Sequence, residues 1–125
     1  EALHDEYSLP VSRIVVGGFS QGSMLATDVT LRLSGPPAGL VIYSGTLLNE
    51  AEWSSLAPER SGLSVLQSHG TEDPILPFVA AEWLRDLLTA SGLDVEFQSF
   101  RGGHTITNAA IESTAAMLQA VGQTD

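Results

Sequence analysis

Four short apolar runs separated by stretches of helical periodicity restrict the fold of this 125-residue chain more than any other feature. The runs are Ser12–Phe19 (SRIVVGGF), Gly39–Ser44 (GLVIYS), Ser64–His69 (SVLQSH) and Val95–Phe100 (VEFQSF). The first two are almost continuously apolar, as strands covered on both faces tend to be. The last alternates Val95, Phe97 and Ser99 against Glu96, Gln98 and Phe100, the pattern of a sheet edge. Gln21–Leu33 carries Met24, Leu25, Val29 and Leu33 at helical spacing and stops before Gly35-Pro36-Pro37. Pro77–Ser91 sets Val79, Trp83, Leu84, Leu87 and Leu88 on one stripe, with proline in front and Gly92 behind. Thr105–Val121 does the same with Ile106, Ala110, Met117 and Val121, ending at Gly122. Residues 1–9 are expected to form a short leading helix. Strand–helix alternation at this spacing predicts an α/β fold of about four mostly parallel strands with flanking helices and right-handed crossovers. The length suits one domain over residues 1–125, since domains cluster near ~100–150 residues.

Composition removes several chemistries. There is no cysteine, which excludes disulfides, thiolate nucleophiles and zinc–cysteine sites. All five basic residues are arginines (Arg13, Arg32, Arg60, Arg85 and Arg101), so Schiff bases, Ser–Lys dyads and a phosphate-binding P-loop lysine are excluded too. Fifteen acids give a net charge of −10, which repels phosphate backbones and anionic lipid and argues against nucleic-acid or membrane partners. No apolar run approaches the ~20 residues of a membrane span. The opening EALHDEYSL has neither a basic region nor an apolar segment, so a cytoplasmic location is expected.

The chemistry centres on Gly18-Phe19-Ser20-Gln21-Gly22, a G-x-S-x-G directly after an apolar strand and directly before a helix. That context is required of a nucleophile elbow. Ser20 would sit on a sharp, strained turn, with glycine at −2 and +2 removing Cβ atoms that would collide across it. The helix beginning at Gln21 would aim its amides and positive dipole end at the site. The bland alternative is a capping serine in a glycine-rich turn.

A nucleophilic serine needs a base, and the base needs an orienting acid. His104 lies in Arg101-Gly102-Gly103-His104-Thr105, a loop between the fourth run and the last helix. His69 closes the third run, where a hydrogen-bonded structural role is expected, and His4 is expected to be a solvent-exposed bystander. The loop Gly70-Thr71-Glu72-Asp73-Pro74 supplies an acid. Asp73 is preferred to Glu72 because Pro74 restricts its backbone and a short carboxylate makes a more rigid orienter. Ser20, Asp73 and His104 thus follow three successive strand ends in the order serine, acid, histidine, at the end of a parallel sheet where sites form.

GGFSQGSMLA, SHGTEDPILP and GGHTI together resemble the phospholipase/carboxylesterase family of α/β-hydrolases, which includes acyl-protein thioesterases. The resemblance covers almost the whole chain and implies a truncated α/β-hydrolase core with Ser20 as nucleophile, Asp73 as acid and His104 as base. It places His69 on a structural histidine, and Ile75 and Pro77 beside the acyl pocket. It also implies further strands before the elbow, including a loop of the L-H-G-x-G type that donates one oxyanion-hole amide. Nothing like that loop precedes residue 12, so the Gln21 amide is the one donor that can be named here. The chain is expected either to be the C-terminal half of a larger protein or to rebuild the missing half by other means.

The expected reaction is hydrolysis of carboxylic esters, and of thioesters, with small or short-chain acyl groups, through an acyl-enzyme and without metal or cofactor. A histidine base must be uncharged to take the proton, so activity is expected to rise across mildly acidic pH. Leu47, Leu48, Ile75, Leu76 and Phe78 are expected to form an apolar acyl slot. The alternative is a non-catalytic half-domain with relic triad residues. With no upstream neighbour, the edge of SRIVVGGF would be open and protected only by Arg13, which predicts a homodimer or higher assembly through that edge.

Overall fold

A computed structural model describes residues 10–123; His4 and the leading helix expected over residues 1–9 lie outside them. Four parallel strands form one sheet in the order β1-β2-β3-β4: β1 (Val15–Phe19), β2 (Gly39–Tyr43), β3 (Ser64–Gly70) and β4 (Asp94–Phe100). The helices are α1 (Gln21–Arg32), α2 (Glu50–Leu56), α3 (Phe78–Ala90) and α4 (Asn108–Gln123). The expected α/β class and parallel sheet are therefore present.

The parallel register puts Val16, Leu40 and Val65 in one row across the sheet, with Ile42 beside them. These side chains meet Met24 and Leu31 of α1, Trp53 of α2 and Leu84 and Leu88 of α3 in a single core. The other face carries Val41, Leu66 and Tyr43 and is covered by α4. There the Tyr43 hydroxyl bonds the Thr114 hydroxyl, Gln98 Nε2 donates to Ser113 Oγ at 2.7 Å, and Met117 lies over Gly39. β2, apolar in four of its five residues, and β3 are each paired on both sides and are the two buried strands, in four of five and six of seven residues. Among the described residues β1 pairs only with β2, and β4 only with β3.

Three differences from the expected elements have local causes. Ser12 and Arg13 belong to a 3₁₀ turn (Val11–Arg13) rather than to the first strand, because the Arg13 amide donates back to the Pro10 carbonyl. The last helix starts at Asn108, three residues later than expected, where the Thr107 hydroxyl accepts from the Ala110 amide. Helix α2, continued by a 3₁₀ turn over Ala57–Arg60, was not expected at all. Its signal was present: Asn49 followed three residues later by Glu52 is a capping-box pattern, and Asn49 Oδ1 accepts from the Glu52 amide while its Nδ2 donates to Glu52 Oε1.

Trp53 fastens α2 to α1. Its ring is fully buried, and its indole N–H donates to Asp28 Oδ1 at 3.0 Å. That bond holds the Asp28 carboxyl below its ordinary value; burial opposes it and Arg32 adds to it. The buried Arg60 guanidinium donates to the Thr30 carbonyl at 3.0 Å and to the Leu33 carbonyl, satisfying open acceptors at the C-terminal end of α1. These bonds anchor the C-terminal half of α1, and the Ser20 carbonyl, which accepts the Ser23 and Met24 amides, ties its first turn to the end of β1.

Candidate active site

The turn from β1 into α1 carries Ser20 with φ 60 and ψ −124, a backbone region unfavourable for a residue with a Cβ. The Ser20 amide donates to the Tyr43 carbonyl at 2.9 Å, and its carbonyl accepts the Ser23 and Met24 amides. Gly18 is required by this turn, since a Cβ there would lie 2.4 Å from the Gly22 backbone. Gly22 is different: a Cβ built on it meets nothing within 4 Å, so only the glycine at −2 relieves a collision. Ser20 stands at the N-cap of α1 but its hydroxyl does not cap the helix. It lies instead 2.9 Å from His104 Nε2.

The His104 ring is held at its far side by Asp73, with Nδ1 2.6 Å from Oδ2. A carboxylate can only accept, so the ring proton sits on Nδ1 and the Nε2 lone pair faces the Ser20 hydroxyl. Phe19 packs on the ring at 4.8 Å between centroids. The Asp73 side chain is fully buried, and its second oxygen, Oδ1, accepts the amides of Ile75 at 2.8 Å and Leu76 at 2.9 Å. Burial pushes this carboxyl up. The Leu76 amide, the His104 ring and the Ile75 amide together outweigh burial, so the group lies below its ordinary value. Glu72 points to solvent and pairs with Arg101 at 3.3 Å.

His69 is wholly buried beneath the Asp73 turn. Its Nε2–H donates to the Leu76 carbonyl at 2.8 Å, and the same nitrogen lies 3.4 Å from Asp73 Oδ2. It makes no hydrogen bond to Ser20. The Gln21 amide has no acceptor among the described residues, which leaves a donor open at the first turn of α1. No group of three or more metal-ligating side chains occurs among them, and no helix of theirs is long and apolar enough to cross a membrane.

The five apolar positions expected to form one slot do not converge. Leu47 lines a cavity of about 750 Å³ between α2 and α3, beside Trp83 and Leu87. Leu48 lines a different one, of about 520 Å³, that reaches Gln21, Met24 and Leu25. Leu76 is packed against the core. Phe78 stacks between His69 and Phe97, at 6.1 and 5.8 Å. Ile75 is exposed. The apolar wall beside Gln21 therefore includes Met24 and Leu25, which sequence reasoning placed only on the buried stripe of a helix.

Compared with known families, residues 3–121 match phospholipase/carboxylesterase. The chain belongs to the phospholipase/carboxylesterase family. Among its relatives, acyl-protein thioesterase 1 of Mycosarcoma maydis is 33% identical over 123 residues, covering 94% of this chain and 51% of that protein. Acyl-protein thioesterase 1 of Schizosaccharomyces pombe is 34% identical over 95 residues, covering 72% of this chain and 42% of that protein. The solved structure of esterase PE8 superposes with a TM-score of 0.85 at 27% identity, over 96% of this chain and 55% of that one. This family member thus spans about half the length of the relatives it matches.

Proposed function

We propose that the chain carries the catalytic triad of a serine hydrolase that cleaves carboxylic esters, and thioesters by the same route, of small or short-chain acyl groups. The observation that carries this reading is the unbroken chain Ser20 Oγ–His104 Nε2 at 2.9 Å and His104 Nδ1–Asp73 Oδ2 at 2.6 Å, mounted on a strained elbow. Ser20 Oγ attacks the acyl carbonyl while His104 Nε2 takes its proton. The Asp73 carboxylate, kept ionised by three hydrogen bonds, stabilises the resulting imidazolium. The Gln21 amide and the positive end of α1 receive the oxyanion. His104 returns the proton to the leaving group, and water then attacks the acyl-enzyme by the same path. The cleft of Met24, Leu25 and Leu48 beside Gln21 suits the acyl chain, with the exposed Ile75 on the acid side.

Replacement of Ser20 tests this reading. Ser20→Ala is expected to reduce p-nitrophenyl butyrate hydrolysis below ~1% of the parent with the fold retained, as loss of a triad nucleophile costs several orders of magnitude. Activity above that level overturns the assignment. The rival reading, a non-catalytic half-domain, draws on the half-length match to relatives. Labelling of Ser20 by a fluorophosphonate separates the two, because a relic serine does not react.

Among the described residues the outer edge of β1 has no partner strand, and with Leu25 and Val29 exposed on α1 this supports association of two copies through this side. A second chain there would shield the Ser20 end of the sheet and lie within reach of the oxyanion position.

A further inference from the structure

We propose that Ser44 is a positioning residue for the base, its buried hydroxyl holding the His104 loop through the Thr105 carbonyl. The inference rests on the triad reading above and concerns what keeps its two halves in register.

The end of β2 lies between the elbow and the base loop, and three consecutive residues there reach the two. The Tyr43 carbonyl accepts the Ser20 amide at 2.9 Å. The Ser44 hydroxyl donates to the Thr105 carbonyl at 3.2 Å, while its amide donates to the Ser68 carbonyl of β3 at 2.7 Å. Gly45 leaves room for Ser23, whose hydroxyl donates to the Ser20 carbonyl at 2.5 Å; a Cβ at 45 would sit 2.1 Å from that hydroxyl. One strand end thus supports the nucleophile from below and the base from the side.

The residue type at 44 is informative. Ser44 is fully buried and has φ 56, so with Ser20 it is one of two described non-glycine residues at positive φ. Glycine would meet that backbone demand without steric conflict, and alanine would meet the burial. Only the hydroxyl separates serine from both. Its partner matters because the Glu72 amide ties the loop before His104, through the Gly102 carbonyl at 2.9 Å, whereas Ser44 ties it directly after. Among the described residues, the Ser44–Thr105 bond is the only hydrogen bond from another strand or its following loop to the backbone of residues 103–107, the Thr107 carbonyl accepting from the Ile111 amide of α4. The Thr105 amide itself bonds within the loop, to the Gly103 carbonyl at 3.1 Å. Without Ser44, the carbonyl next to His104 would lose its tie to β2, and the ring would be held by Phe19 packing and by its bonds to Asp73 and Ser20, the two interactions that must rearrange during proton transfer.

The test compares the parent with Ser20→Ala, Ser44→Ala and Ser44→Gly for p-nitrophenyl butyrate kinetics, fluorophosphonate labelling and thermal melting. A parent that neither hydrolyses the ester nor labels overturns the triad reading, and this inference with it. With an active parent, both Ser44 variants are expected to lose roughly ten- to a hundredfold in kcat, with KM within about twofold and labelling slowed in parallel, as for displaced supporting groups. A kcat within twofold of the parent for either variant overturns the role of Ser44 and leaves the triad reading intact. Ser44→Gly decides the matter if Ser44→Ala does not fold, because it removes the hydroxyl and relieves the backbone together.

Discussion

At Ser20 the backbone adopts φ 60, and the hydrogen bonds around it state why the chain tolerates this. Its amide and carbonyl are both tied, to Tyr43 and to the first turn of α1, so the strained conformation is over-determined by its surroundings. Gly18→Ala is expected to break the elbow, since the added methyl meets backbone rather than a movable side chain; circular dichroism and ester hydrolysis should decline together. Asp73 makes a separate prediction. Its carboxyl lies below its ordinary value in the folded chain, so protons bind more weakly there than in the unfolded chain. The stability it contributes is present above the unfolded value, near ~3.9, and is lost as pH falls through the lower folded one. Asp73→Asn removes this dependence. Urea unfolding between neutral pH and about pH 3 should therefore show a shallower acid loss for the variant. Its hydrolysis should drop by up to about 10⁴, the effect of the same change in a serine protease triad, because an amide no longer fixes the ring proton on Nδ1. Equal acid sensitivity of parent and variant would refute the linkage.

At the scale of elements, the sheet brings the strand ends together and the helices hold them. β1, β3 and β4 each lead into a loop that carries one of Ser20, Asp73 and His104, while β2 is followed directly by Ser44. Helix α2 contributes no side chain to the triad but locks α1 through Trp53 and Asp28. Trp53→Ala should cost roughly 3–5 kcal/mol in denaturant unfolding, as for large aromatic truncations in cores, and loosen α1 along with α2. A loss under about 1 kcal/mol would show that this ring is not the anchor. The elements legible in the sequence were those with clear periodicity: the four strands and the three long helices. Helix α2 escaped because it is seven residues long, too short for a repeating apolar stripe, and only its cap pattern and one buried tryptophan mark it.

Across the whole molecule, the charge of −10 and the β1 edge, which is unpaired among the described residues, work in different directions. Like charge keeps molecules apart, whereas an unprotected apolar edge offers free backbone donors and acceptors to another strand. The edge is local and the charge is spread out, so a protein of these 125 residues is expected to sediment as a dimer or larger species, more so at higher salt, where repulsion is screened. A folded, active species that stays at 13.2 kDa at high concentration would remove the edge argument.

What the sequence determined by itself was short-range: apolar runs that must be strands, periodic stripes that must be helices, and a serine between glycines at a strand-to-helix junction. These follow from backbone sterics and burial within a few residues, so pattern alone carries them. The pairing of Asp73 with a histidine 31 residues away, and of that histidine with a serine 84 residues away, was legible only as chain order. Tertiary structure decided the rest. It turned Glu72 outward and Asp73 inward, and it buried His69 under the acid turn. It also divided the expected acyl positions between core and cleft, and it set Ser44 against the base loop. Each of these depends on where side chains from distant strands meet, which is fixed by sheet register and crossover packing rather than by neighbours in the chain.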